Sequence, residues 1–155
     1  MRYLFAIVAA IYGGLVLAAP TDAETLDLVG FNSQISEAPI SVELPNGLTY
    51  LTVVSKQVHF GRSANNPFDR AISSCIAGCT VDQSGDGNCL GSCSGYDVDG
   101  DVFSFTWDGM TGGTWTLVDG SGKYEGATGG GDWTGVATSD ASTSLPEWTG
   151  TITLK

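Results

Sequence analysis

Residues 112–133 constrain the fold of this chain more than any other stretch, because short runs that carry aromatic residues alternate there with glycine-rich turns. The runs Gly113–Val118 and Asp132–Thr138 have the aromatic and β-branched content of strands. The glycines between them mark tight turns and close backbone approaches. This alternation is typical of an antiparallel barrel.

Strand patterns recur along the rest of the chain. In the segment 102–107, Phe103, Phe105 and Trp107 share one face, and serine and threonine lie on the other. No window has a helical apolar period long enough for a packed helix, so the chain after its N-terminal segment is predicted to be all-β. The predicted strands are Thr25–Phe31, Ile40–Leu44, Leu48–Phe60, Ala71–Val81, Cys89–Val98, Val102–Trp107, Gly113–Val118, Asp132–Thr138 and Glu147–Leu154.

Many short strands in a chain of this length form either a sandwich or a closed barrel. The glycine content favours the barrel, because 22 glycines, several of them inside strand patterns, supply the bends that closure requires. No internal repeat or linker divides the chain, which predicts a single domain at residues 24–155. The segments 61–69 and 139–146 are predicted to be its most mobile loops.

The N-terminal segment has the features of a secretory signal peptide. Arg2 is followed by an uncharged apolar run, Tyr3–Ala19, that ends in small residues. We predict cleavage after Ala23, which makes residues 1–23 the signal peptide; cleavage after Ala19 is the less favoured alternative. A retained anchor is the other interpretation, but the run is borderline for a span of about 20 residues. The protein is therefore expected to be secreted or periplasmic, with no membrane span after cleavage.

The formal net charge of −11 restricts the classes of partner. Nucleic acids and anionic membranes are disfavoured, because both repel an acidic surface. The charge is compatible with solubility, with calcium or with cationic ligands, and it is also ordinary in exported proteins.

The four cysteines follow the pattern Cys75-x3-Cys79-x9-Cys89-x3-Cys93. An even number of cysteines in an exported chain predicts disulfides. One antiparallel hairpin register places Cys75 opposite Cys93 and Cys79 opposite Cys89, with both bridges on one face. We predict these two disulfides, with a structural role. A four-thiolate zinc site is the alternative, and an oxidising compartment argues against it.

Acidic residues at two turns have the alternating oxygen side chains of a calcium loop. The first turn, 82–87, matches the opening half of an EF-hand loop, but Cys93 stands where a bidentate glutamate is required. This excludes an EF-hand and leaves a looser calcium site open. The favoured interpretation is that the Asp-Gly pairs form hairpin turns and that no cofactor is bound. The weak calcium candidates are Asp82, Asp86, Asp97, Asp99 and Asp101.

Two titratable residues are weak candidates for catalysis. His59 shares a strand face with Gln57, so an inward orientation would place it near a barrel mouth as a general base. The favoured interpretation is a solvated histidine at the end of a strand. Glu125 either contributes a cavity carboxylate with a raised pKa or, as we favour, faces solvent. No nucleophile elbow, phosphate-binding glycine loop or zinc protease pattern is present.

Large aromatic side chains are the candidates for ligand contact. The tryptophans Trp107, Trp115, Trp133 and Trp148 all lie in predicted strands of the C-terminal half. They line a ligand cavity if they share the inner face and otherwise pack the core, and core packing is slightly favoured. If a cavity exists, the predicted ligand-binding residues are Trp107, Trp115, Tyr124 and Trp133.

The C-terminal half also carries a family pattern. The segment Gly120–Gly129 has the order Gly-Ser-Gly-Lys-Tyr-Glu-Gly-Ala-Thr-Gly, and the chain closes with the aromatic strand Trp148–Lys155. These segments resemble the glycine-rich hairpin and the last strand of the allene oxide cyclase barrel-like group, which includes dirigent-type barrels. The run Tyr96–Val102, followed by Trp107, resembles small exported bacterial proteins of this type.

The resemblance implies a single antiparallel barrel of about eight strands, calycin-like or allene oxide cyclase barrel-like, with a small apolar cavity. The related barrels often form homo-oligomers. The double-cysteine hairpin departs from the plant cyclases. Their catalytic residues have no counterparts that we can place here, so none is transferred.

We expect an exported barrel that binds a small hydrophobic molecule in its interior. One alternative is a cofactor-independent isomerase or cyclase of allene oxide cyclase or dirigent type. The other is a structural or surface-interaction protein with a packed barrel.

Overall fold

The computed structural model describes residues 23–136, 138–140 and 142–155, and these ranges are almost entirely β, as predicted. Their helical element is a short 3₁₀ helix at Gly122–Tyr124. No helix in the described ranges has the length and hydrophobicity needed to cross a membrane. The predicted signal peptide, residues 1–23, lies outside the described residues except for Ala23. The strands are β1 (Glu24–Ser36), β2 (Ile40–Glu43), β3 (Thr49–Gly61), β4 (Ile72–Val81), β5 (Gly87–Tyr96), β6 (Val102–Asp108), β7 (Gly112–Gly120), β8 (Thr128–Thr134), β9 (Thr143–Ser144) and β10 (Glu147–Leu154).

Eight strands close into an antiparallel barrel in the order β1-β3-β4-β5-β6-β7-β8-β10 and back to β1. Closure depends on the length of β1, whose first part pairs with β10 and whose last part pairs with β3. The short strand β2 pairs with the start of β3, and β9 pairs with the end of β1. The predicted eight-stranded barrel is confirmed, and closure removes most of the exposed edge that an open sheet would present.

The β4–β5 hairpin carries both disulfides. Cys75 lies opposite Cys93 and Cys79 opposite Cys89, with Cα–Cα distances of 4.1 and 4.0 Å. Because the cysteines of each strand are four residues apart, both bridges lie on the same, inner face, where they are buried. The predicted pairing is confirmed. Disulfides of this kind are typical of an oxidising compartment.

The position of β8 differs from the prediction, which placed this strand at 132–138. The strand instead spans Thr128–Thr134 and contains three consecutive glycines. A Cβ at Gly131 would overlap the carbonyl oxygen of Thr149 on β10, so the absence of side chains lets the two backbones pair closely. The glycine run is therefore part of a strand and not a turn.

One end of the barrel is closed by side chains that come from outside the strands. Phe68, in the connection between β3 and β4, is buried and stacks on Tyr124 with ring centroids 5.6 Å apart. The hydroxyl of Tyr124 lies 2.9 Å from the carbonyl oxygen of Pro67 and 3.1 Å from the carboxylate of Asp97. Leu28, Phe103, Leu117 and Ile152 complete the apolar packing around this pair. Open space in the barrel is thereby confined to the other end.

Candidate functional site

A cavity of about 200 Å³ occupies the open end of the barrel. Its floor is formed by Phe68 and Phe103, and the exposed residues Met110 and Gly135 lie at its mouth. The interior is therefore not filled by side chains, and it has room for a small guest.

One wall of the cavity is aromatic. It is formed by side chains of β6, β7, β8 and β10, namely Phe105, Trp107, Trp115, Trp133 and Trp148. The rings of Trp107 and Trp133 meet edge to face, with centroids 5.5 Å apart. The Nε1 of Trp115 donates to the Thr149 carbonyl oxygen at 3.0 Å, and that of Trp133 to the Asp108 carbonyl oxygen at 2.8 Å. These bonds fix two of the indoles in orientation, so the wall offers rigid, flat apolar surfaces.

The facing wall is polar and comes from β1 and β3. The Nε1 of Trp148 donates to Oδ1 of Asn32 at 2.8 Å, and Nδ2 of Asn32 donates to Oε1 of Gln57 at 2.7 Å. The Nε2 of Gln57 then donates to Oε1 of Gln34 at 2.9 Å. An indole N–H can only donate, so Trp148 sets the direction of every hydrogen bond in this series. Each of the three side-chain amides therefore keeps at least one N–H that takes no part in the series.

His59 lies on the inner face of β3, next to the amide wall, and its side chain is 4% exposed. Its ring packs edge to face against Phe103 and Phe105, with centroids 5.7 and 6.1 Å away. Burial lowers the pKa of His59 from 6.5 to about 4, because the charged imidazolium would lose its hydration. The favoured interpretation of His59 as a solvated histidine is therefore wrong, and the imidazole is neutral at physiological pH.

Described residues that line the cavity include no aspartate, glutamate, lysine or arginine. With His59 neutral, the lining carries no net charge. An ion placed there would lose its hydration without gaining a counter-charge. The site can therefore accommodate an uncharged guest far better than a charged one.

Two of the residues selected from the sequence lie away from the cavity. Tyr124 is fully buried at the closed end of the barrel, and its pKa is raised by burial and by the neighbouring Asp97. The expectation that Tyr124 contacts a ligand in the cavity is therefore wrong, because the 3₁₀ helix turns its ring toward Phe68. Glu125 is exposed, as favoured, and the alternative of a cavity carboxylate is wrong. The candidates Trp107, Trp115 and Trp133 do line the cavity.

In the two acidic turns, the carboxylates of Asp82 and Asp97 are engaged in hydrogen bonds within the protein. The carboxylate of Asp82 accepts from the backbone N–H groups of Ser84 and Asp86, and this carboxylate caps the turn. Asp97 is bound at 2.9 Å by Nζ of Lys123, which also contacts Asp99. In the ranges that the structure describes, no group of three or more His, Cys, Asp or Glu side chains is arranged to hold a metal ion. Of the calcium candidates, Asp82 and Asp97 thus serve as turn caps, and Asp86, Asp99 and Asp101 lie in the same two turns.

Sequence reasoning missed the amide wall. The first strand was predicted to end at Phe31, whereas β1 continues to Ser36 and points Asn32 and Gln34 into the barrel. The available signal was alternation, since 28, 30, 32 and 34 share one face of a strand. It was obscured because the inward residues change from apolar to polar along β1.

Solved structures that share the fold of this chain include those of two dirigent proteins. The structure of the pterocarpan synthase dirigent protein GePTS1 matches with a TM-score of 0.55 and 11% sequence identity over 89% of each chain. That of the pterocarpan synthase dirigent protein PsPTS1 matches with a TM-score of 0.53 and 13% identity, over 83% of this chain and 94% of the other. This chain therefore has the barrel fold seen in these two dirigent proteins. At such identities the likeness concerns the fold alone. Neither a family model nor a curated protein sequence matches the chain.

Proposed function

We propose that this protein binds one small, uncharged, planar aromatic molecule in the open end of its barrel. The observation that carries the proposal is the two-sided cavity, with aromatic rings on one wall and a chain of amides on the other. Flat rings would stack against the indoles, while a polar atom of the ligand would meet unused amide N–H groups. The lack of charged lining residues in the described chain favours a neutral ligand.

The size of the cavity limits the ligand to one or two fused rings. An apolar cavity of about 150 Å³ in another protein accommodates benzene. The cavity here, at about 200 Å³, is somewhat larger, and it is open at the mouth. Tetralin, a neutral molecule of two fused rings, is therefore a suitable probe.

We place this binding activity in an oxidising compartment outside the cytoplasm. The predicted signal peptide and the two disulfides support that location. The acidic net charge of −11 supports a soluble carrier that avoids nucleic acids and anionic membranes.

Calorimetric titration with tetralin tests the proposal. Wild-type protein should bind one molecule per barrel, and Phe105→Ala should weaken binding about five- to thirtyfold, because it removes a ring of the cavity wall. Phe31→Ala is the matched control, since Phe31 stacks on Phe60 outside the cavity lining. An absence of heat and of saturation with the folded wild type, or equal losses in the two variants, would contradict the proposal.

A second candidate function is catalysis of a cyclisation or isomerisation in the same cavity. It is favoured by the shared fold with two proteins described as pterocarpan synthases and by the buried, neutral His59. Under this alternative the wild type cyclises or isomerises a neutral aromatic substrate small enough for the cavity, while a His59→Phe variant still binds tetralin but has no turnover. Binding of such substrates without any turnover by the wild type would leave the protein as a carrier.

A further inference from the structure

Ser73 forms a hydrogen bond with His59, which is the one titratable side chain among the described residues that line the cavity. The Oγ of Ser73 lies 2.8 Å from Nε2 of His59, and the two side chains are 1% and 4% exposed. They occupy neighbouring strands, β4 and β3, so the contact is held by the sheet. Ser73 itself does not contribute to the cavity lining, whereas His59 does.

The hydrogen-bond partners of Ser73 determine the tautomer of His59. Within the described chain, His59 is the sole hydrogen-bond partner of the Ser73 hydroxyl. If Nε2 carried the proton, the buried O–H of Ser73 would have no acceptor, which is unfavourable by about 1–3 kcal/mol in general. If Ser73 donates to Nε2, every hydrogen in the pair is used. The imidazole proton must then be on Nδ1.

The Nδ1–H of this tautomer is free to meet a guest. In the described ranges Nδ1 has no protein hydrogen-bond partner, and the imidazole forms part of the cavity lining. The neighbouring rings of Phe103 and Phe105 offer no acceptor oxygen. The lowered pKa of His59 agrees with this geometry, because a neutral ring can keep a single, defined donor.

We propose that His59 is a specificity-determining hydrogen-bond donor, held by Ser73 with its proton on Nδ1, and that the cavity selects aromatic ketones over the corresponding hydrocarbons. This inference rests on the proposed binding function and names the ligand class. It assigns His59 the role of a donor in place of the general-base role for which the sequence made it a weak candidate. The unused N–H groups of Asn32 and Gln57 add to the donor character of the same side of the cavity.

Nitrogen-15 NMR tests the tautomer directly, because the chain contains one histidine and its ring signals need no assignment. We expect a pyrrole-like shift for Nδ1 and a pyridine-like shift for Nε2 in the ligand-free wild type at pH 7. In Ser73→Ala the fixed tautomer should be lost, with Nε2–H becoming populated. A wild-type ring that is protonated on Nε2 would overturn the inference.

Matched ligands test the selection. We expect 1-tetralone to bind wild-type protein about five- to tenfold more tightly than tetralin, as one added hydrogen bond would produce. The double variant His59→Phe with Ser73→Ala removes both partners and leaves no buried hydroxyl unpaired, so it should fold and lose most of the preference for the ketone, any remainder coming from the amide N–H groups of Asn32 and Gln57.

The outcomes separate the two proposals. If neither probe binds the wild type, the proposed binding function fails. If both bind with equal affinity, or if the double variant keeps the full wild-type preference for the ketone, binding stands and the role of His59 is overturned.

Discussion

Trp107 lies against Gly91, its partner across the β5–β6 pair, and fills the space that a side chain at Gly91 would occupy. Gly91 stands between Cys89 and Cys93 on the inner face of β5. Trp107, which forms part of the cavity wall, therefore packs directly against the disulfide hairpin. The shape of the cavity therefore depends on a residue that is not part of its lining.

We predict that Gly91→Ala both destabilises the barrel and weakens binding of tetralin. The added methyl group would overlap the indole edge of Trp107, which must then move toward the cavity. Overpacking of this kind costs about 1–3 kcal/mol, measurable by urea denaturation. Gly135→Ala is the control for stability only, because its methyl group would meet Thr111 at an ordinary distance of 3.4 Å but Gly135 lies at the cavity mouth. Equal stability of the two variants would contradict the packing described for Trp107.

The closed end of the barrel should be sensitive to removal of one carboxylate. The side chain of Asp97 is inaccessible to solvent and accepts from Lys123, Tyr124 and the backbone N–H groups of residues 99 and 101. We expect Asp97→Ala to lower the free energy of unfolding by about 2–3 kcal/mol, because Tyr124 and two backbone N–H groups lose a charged acceptor, while the partly exposed Lys123 keeps Asp99. Asp99→Ala is the control, since Asp99 contacts the same lysine but is 66% exposed, and it should cost below about 1 kcal/mol. Similar losses in thermal unfolding experiments would show that burial of Asp97 has no energetic role.

Stability should fall on mild acidification because of His59. Its pKa is about 4 in the folded protein and 6.5 in the unfolded chain. Between these values the unfolded chain binds a proton that the folded protein does not, so lowering the pH favours unfolding. We expect a loss of about 3 kcal/mol in the free energy of unfolding between pH 7 and pH 4, measured by urea denaturation across this range.

The double variant His59→Phe with Ser73→Ala is the control for this pH dependence. It lacks the titrating group and should lose much less stability in the same window. Asp97 acts at lower pH, because its pKa is held below the usual range, despite burial, by hydrogen bonds from Lys123 and backbone N–H groups. A steep decline in the double variant between pH 7 and pH 4.5 would assign the effect to other groups.

The Cys75–Cys93 disulfide, which lies farther from the hairpin turn than Cys79–Cys89, should contribute strongly to stability. Cys75 and Cys93 are separated by 18 residues, and a loop of about this size corresponds to about 3 kcal/mol in the chain-entropy description. We expect the Cys75→Ser, Cys93→Ser double variant to unfold at a correspondingly lower urea concentration. Reduction of the wild type with dithiothreitol should have at least as large an effect. A double variant as stable as the oxidised wild type would contradict this expectation.

Much of the fold could be predicted from the sequence because its signals are local. Alternation in 102–107 predicted that Phe103, Phe105 and Trp107 share one face, and in the structure this face points inward. The spacing of the cysteines gave one hairpin register that satisfies both bridges. The position of β8 was missed because glycines show no alternation, and only the neighbouring backbones reveal that they pair.

The candidate site was less predictable because it depends on contacts between distant segments. Phe68 lies in a segment without a strand pattern, and its burial follows from how the β3–β4 connection folds over the barrel end. The amide wall depends on closure between β1 and β3, which brings Asn32 to Gln57. The burial of His59 likewise follows from rings on β6 that lie more than 40 residues away.

A crystal structure with 2-bromonaphthalene, recorded at the bromine absorption edge, tests the central claim most directly. The neutral, two-ring probe should enter the cavity and give one strong anomalous peak between the aromatic wall of Trp107 and Trp133 and the amide wall of Gln57. That result would place an aromatic guest inside the barrel. Anomalous peaks confined to the outer surface, with an empty cavity at saturating probe, would contradict the account.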